Sequence, residues 1–132
     1  MKVYLGGTWN KSTWRNRIIP MLKIDFFNPV VEDWTPDWIE KELNQRETCD
    51  FVLYVITPKM TETYSIAEVV DDSNKRPKAT ILVRLRHDDT ESFNEAQWKS
   101  LNAVAQLVAN NGGSAFTSLE SASSFINKMG LK

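Results

Sequence analysis

The chain has one cysteine, Cys49, and one histidine, His87, among 132 residues. A lone cysteine excludes an internal disulfide and fits a reducing, cytoplasmic compartment. A lone histidine leaves no Ser-His-Asp set or Cys-His pair beyond His87 itself. His87 stands beside Asp88-Asp89 with no second histidine or cysteine at ligand spacing, so it reads as part of a solvated loop and no metal or cofactor is expected. Net charge is scarce too: 16 basic against 17 acidic residues give −1. No dense Lys/Arg tract appears, so nucleic acid is not an expected partner. No apolar run reaches the length of a membrane span. Met1-Lys2 leads straight into the apolar Val3–Leu5, which is not the form of a signal peptide.

What is present is enough for one domain, residues 1–132, with a continuous core that needs no covalent support. Five tryptophans are many for this length, and Trp9, Trp14, Trp34 and Trp38 crowd the first third. Strand and helix patterns alternate. Strands are expected at Val3–Leu5, Ile24–Phe27, Asp50–Thr57, Thr80–Leu85 and Ala115-Phe116. Ser12 is the expected N-cap of a first helix that Pro20 shortens or kinks. Thr35-Pro36-Asp37 opens a second, reaching about Arg46. Tyr64–Asp72 begins a third, and Glu95–Ala109 forms a long amphipathic fourth, ended by Asn110-Asn111-Gly112-Gly113. Thr117-Ser118-Leu119-Glu120 has the form of a capping box for the last. Five such alternations predict a three-layer α/β fold, flavodoxin-like or Rossmann-like, with a five-stranded parallel sheet.

Three loops at one edge of such a sheet carry the candidate residues. Gly6-Gly7-Thr8-Trp9-Asn10 either brings backbone N–H groups to a ligand or is a plain tight turn. Asn28–Trp34 ends in Asp33 and Trp34, and Trp34 either stacks on a flat heterocycle or caps the core edge. Lys59–Glu68 follows an apolar, β-branched strand of the kind buried on both faces. Glu68 lies among Ile66, Ala67, Val69 and Val70, company that would desolvate its carboxylate and raise its pKa unless a donor pairs with it. The other course open to it is to face solvent. Cys49, just before the buried strand, reads as a small apolar filler. Lys11, Ser12 and Arg15 read as a solvated helix start.

Three segments together resemble nucleoside 2-deoxyribosyltransferases and the related nucleoside and nucleotide N-glycosidases. Val3-Tyr4-Leu5-Gly6-Gly7-Thr8-Trp9 is similar to their opening strand and Gly-rich loop. Glu42, followed eight positions later by Asp50-Phe51-Val52-Leu53-Tyr54-Val55, is similar to their acidic helix residue and apolar strand, with Glu in place of the usual Asp. Glu62 and Glu68 have the spacing of their acid and catalytic glutamate. The resemblance covers roughly residues 1–85. It implies that Glu68 is a nucleophile, held by the Tyr4 hydroxyl, and that Glu62 and Glu42 bind sugar hydroxyls or manage the leaving base's proton. It also implies that Trp9 and Trp34 sandwich the base, with Gly6, Gly7, Thr8, Asn10, Asp33 and Tyr64 also around the substrate. Tyr64 and Ile66 stand where the family often has glycines, which narrows the space for a ligand. An acid at position 62 suits an uncharged 5′-hydroxyl better than a phosphate dianion.

The expected activity is cleavage or exchange of the N-glycosidic bond of a (deoxy)nucleoside, with transfer and hydrolysis both open. The competing reading is a non-catalytic nucleoside- or nucleotide-binding module on the same fold. A third is an interaction domain that uses its tryptophans. A nucleoside or nucleotide and a nucleobase are the expected small-molecule partners, no membrane is expected, and the resemblance implies a homodimer or larger homo-oligomer.

Overall fold

The computed structural model describes residues 1–9, 11–31 and 33–131. In chain order its elements are β1 (Lys2–Gly7), α1 (Trp14–Ile18), a 3-10 turn (Ile19–Met21), β2 (Asp25–Phe27), α2 (Pro36–Thr48), β3 (Phe51–Ile56) and α3 (Tyr64–Lys75). A second 3-10 turn (Pro77–Ala79), β4 (Thr80–Arg84), β5 (His87–Asp88), β6 (Glu91–Ser92), α4 (Glu95–Asn110), β7 (Ser114–Phe116) and α5 (Leu119–Gly130) follow. Five strands form one parallel sheet in the order β2-β1-β3-β4-β7. This is the flavodoxin-like order that the alternation predicts.

The physical reason for the six-residue apolar run in β3 is that helices cover both its faces. Phe51, Leu53 and Val55 join Val3, Leu5, Ile81 and Val83 against Trp14, Ile18, Ala122 and Ile126 of α1 and α5. Val52, Tyr54 and Ile56 join Tyr4 and Leu82 against Val69 of α3 and Leu101, Ala105 and Val108 of α4. Cys49 is buried beside the second cluster, as a small filler should be.

Local signals hold with small shifts. Pro20 falls in the 3-10 turn after α1, which therefore ends at Ile18. The first residue of that helix is Trp14, so Thr13 and not Ser12 takes the cap position. Thr35 caps α2 by accepting from the Trp38 N–H. Asn94 and Gln97 form a reciprocal capping box on α4. On α5 the cap is Ser118, one residue later than expected.

The polar stretch after β4 is the larger correction. His87–Asp88 and Glu91–Ser92 pair as a small antiparallel hairpin. Asp88 is buried there, accepting from Ser12 Oγ at 2.6 Å, with Arg17 Nη2 3.9 Å away. Ser12 therefore ties the first loop to the hairpin and is not part of a solvated helix start. Among the described residues no group of three or more His, Cys, Asp or Glu is arranged to hold a metal ion, and no helix is long and apolar enough to cross a membrane.

Candidate active site

Strand order reverses at β1 and β3: the chain leaves β1 for the α1 face and β3 for the α3 face. Crevices at the carboxyl ends of strands form at such a switch point. Here a cleft of about 290 Å³ opens between α2 and α3. This volume lies at the lower end of the range for small-molecule sites. Its floor is Tyr4, Gly6, Gly7 and Arg15, and Trp9, Pro29 and Trp34 close one side. Ile39, Glu42, Leu43 and Arg46 of α2 face Glu62, Tyr64, Ser65 and Glu68 from the loop before α3 and the helix itself.

The two glycines are the last residues of β1, not a turn beyond it. Gly7 has φ +114°, and a Cβ there would lie 2.2 Å from the Val55 carbonyl oxygen. A Cβ on Gly6 would lie 2.9 Å from the Tyr54 ring and 3.1 Å from the Tyr4 ring. Bare backbone here lets β1 and β3 close up and lets both tyrosines lie against the strand end. Behind the glycines α1 has only five residues, so no long helix directs its amino terminus at the cleft.

Two carboxylates on facing walls of the cleft are held by different partners, and this corrects the expectation that Tyr4 holds Glu68. The Tyr4 hydroxyl donates its proton to Glu42 Oε1 at 2.9 Å. Burial first, and Glu42 next, push the Tyr4 phenol far above its ordinary range, so it stays a donor at any working pH. Its ring stacks on Phe27 with centroids 6.0 Å apart, and Phe27 stacks on Trp38 at 5.6 Å.

Glu68 is held by Arg46, whose Nη1 lies 3.3 Å from Glu68 Oε2. Arg46 is itself fixed from below. Its Nε and Nη2 make two parallel 3.1 Å bonds to the two oxygens of Asp72. Tyr54 OH donates to Asp72 Oδ2 at 2.6 Å. A forked guanidinium locked in this way has little freedom, so the carboxylate it touches is aimed. The Glu68 carboxyl is pushed above its usual range, chiefly by burial; Arg46 opposes that shift, and Glu42, Asp72 and Glu62 add to it.

The same bonds anchor α2. No residue of this helix is fully buried. It is fastened instead through Tyr4–Glu42, Arg46–Asp72, Trp38 Nε1 to the Pro29 carbonyl (3.2 Å), and Arg76 Nη1 to the Arg46 carbonyl (2.9 Å). Tyr4→Phe should therefore lower stability by about 1.5 kcal/mol, the lower end for a bond to a charged group because this one is only partly buried. Urea unfolding would show this as a lower midpoint with an unchanged slope. An unchanged midpoint would mean that the bond contributes nothing to seating α2.

Nine of the twelve residues singled out in the sequence line this one cleft: Tyr4, Gly6, Gly7, Trp9, Trp34, Glu42, Glu62, Tyr64 and Glu68. Thr8 does not. It is buried beneath the loop, with its N–H on the Val55 carbonyl and its Oγ1 accepting from Thr57 N. Asp33 is exposed and lies outside the cleft lining. Asn10 lies outside the described residues. Trp9 and Trp34 meet edge to face, centroids 6.4 Å apart at 65°. A flat base between parallel rings needs about 7 Å, two van der Waals spacings, so in this arrangement they offer an aromatic wall instead of a sandwich. Tyr64 stands exposed at the rim, whereas Ile66 packs toward the α3–α4 core and does not narrow the cleft.

Two cationic residues of the cleft escape a sequence reading. Arg46 is four residues after Glu42, one helical turn along the same face, and that spacing is a usable signal. Arg15 is 6% exposed, bonded to the Leu5 and Thr8 carbonyls and stacked on Trp14 at 4.4 Å. It is the opposite of the solvated residue expected. Burial pulls its guanidinium down to about 10, which leaves it charged at neutral pH.

Residues 1–87 match the family model described as nucleoside 2-deoxyribosyltransferase like. No curated protein and no solved structure matched the chain.

Proposed function

The chain belongs to the nucleoside 2-deoxyribosyltransferase-like family, and from that premise we propose that it cleaves or exchanges the N-glycosidic bond of (deoxy)nucleosides with Glu68 as nucleophile. The observation that carries the reading is the placement of Glu68. It is a half-buried carboxylate on a cleft wall at the sheet's switch point, held on one side by the Arg46–Asp72–Tyr54 chain of bonds.

An N-glycosidic bond breaks through an oxocarbenium-like transition state, which a carboxylate on the opposite face stabilises or traps as an ester at C1′. Glu68 supplies that carboxylate. Glu42, fixed by the Tyr4 hydroxyl, and Glu62 offer acceptors to the sugar hydroxyls. The Trp9–Trp34 wall takes the flat base on one face. A second base arriving at the ester gives transfer, and water gives hydrolysis. Three carboxylates line the cleft, and Arg46 is already paired with Glu68 and Asp72. This balance supports a nucleoside over a 5′-phosphate dianion.

The competing reading, a nucleoside-binding module without turnover, draws on Tyr64 at the rim of an already small cleft. One experiment separates them: incubation with a panel of ribo- and deoxynucleosides, with and without a second base, followed by chromatography and thermal melting. Free base or exchanged nucleoside is the expected product. Stabilisation by nucleosides with no product would favour the binding module, because a ligand stabilises whatever native state it binds. Neither product nor stabilisation would dismiss both.

A further inference from the structure

We infer that Arg15 forms a subsite for a ring carbonyl of the base, so that the cleft selects oxo-bases over amino-substituted ones; the inference rests on the reading of this cleft as a nucleoside site. Strand β2 runs alongside β1 only as far as Tyr4. Past that point the Leu5 carbonyl is taken by Arg15, whose Nε and Nη2 both donate to it, at 3.2 and 3.1 Å. Nη1 donates to the Thr8 carbonyl at 2.8 Å. A guanidinium has five N–H donors. These bonds use three, so one N–H on each terminal nitrogen has no protein acceptor among the described residues.

Capping two carbonyls explains a donor at this position but not a charge. Arg15 has no carboxylate within salt-bridge distance among the described residues, although it is buried and lines the cleft. Glu42 favours its charge from beyond contact and Trp14 stacks on one face, but a buried cation without a contacting counter-charge is costly unless an acceptor completes its shell. The acceptor that fits is small and close to neutral before reaction. Glu42, Glu62 and Glu68 line the same cleft and repel a phosphate dianion, and α1 is too short to add a helix-end field.

A ring carbonyl fits, because it gains charge only as the bond breaks. The Glu68 oxygen forms its bond to C1′ as the C1′–N bond opens, and that electron pair passes into the base and onto the carbonyl oxygen facing Arg15. The departing base anion then takes a proton from water. Arg15 acts where charge develops, as preorganised donors do.

Hypoxanthine and adenine, a carbonyl and an amino group at the same purine position, are the probes. Calorimetry on the wild-type protein should show hypoxanthine bound at least about tenfold tighter, the effect of one bond to a charged donor. Arg15→Gln should level the two, and Arg15→Lys, which keeps the charge without the fork, should keep part of the preference. Equal affinities in the wild type, a preference untouched by Arg15→Gln, or inorganic phosphate bound in an Arg15-dependent way would each overturn the subsite. If Arg15→Gln does not fold, the wild-type comparison and Arg15→Lys still decide. Turnover of 2′-deoxyinosine and 2′-deoxyadenosine is followed in parallel. A carbonyl preference without any turnover would sink the glycosidic reading and leave the subsite standing, whereas turnover without preference would do the reverse.

Discussion

Glu68→Gln is expected to reduce glycosidic turnover by more than about 10³-fold, the scale of losing a nucleophile, while leaving the fold intact. The amide is nearly isosteric and still offers Arg46 an oxygen. It also removes the repulsion that Glu42, Asp72 and Glu62 exert on the charged form. Circular dichroism and melting should therefore match or slightly exceed the wild type, and only the rate should collapse. A variant that melts normally and keeps most of its turnover would take the nucleophile's role away from Glu68.

Arg46→Met should act on both stability and pH dependence. Asp72 is buried and receives both arms of the Arg46 fork. Removing one partner of such a pair leaves an uncompensated buried charge, at a cost of about 3 kcal/mol. The kinetic consequence has a definite sign. As the proposed nucleophile Glu68 has to be ionised, and burial already raises its carboxyl; Arg46 is the group that lowers it. Activity should thus increase as pH rises through the Glu68 transition, and without Arg46 that acid limb should move to higher pH. Arg46→Lys, which keeps the charge but loses the fork, should restore most of the limb's position with only part of the stability. If the limb of Arg46→Met stays in place or moves down, Arg46 does not tune Glu68.

How far the sequence alone leads depends on whether a residue's role is local or tertiary. The strand β3 was legible because six consecutive apolar residues, Phe51–Ile56, have no other use than burial on two faces. The start of α2 was legible because Thr35-Pro36 satisfies orphan N–H groups by rules that act within one turn. Glu68 stood out because a carboxylate among apolar neighbours demands a partner. Which partner it takes is a different kind of question. Tyr4 and Arg46 are 64 and 22 residues away along the chain, and the choice depends on how α2 crosses the sheet. That helix, lacking any fully buried residue, carries little apolar signal of its own placement.

The burial of Arg15 and Asp88 was illegible for a related reason. Arg15 is buried because β2 stops opposite Tyr4 and leaves the Leu5 carbonyl unpaired. Asp88 is buried because Ser12 reaches it across 76 residues. Charged side chains are mostly exposed, so a local reading assigns both to solvent, and only the assembled sheet edge reverses that.

The most direct test of the central claim is the mass of the Glu68-containing peptide after wild-type protein is mixed with a 2′-deoxynucleoside, without acceptor base, and quenched in acid during turnover. A deoxyribosyl adduct on Glu68, absent from Glu68→Gln, is the predicted result. Base release accompanied by an adduct on a different carboxylate, or the same adduct in Glu68→Gln, would contradict it.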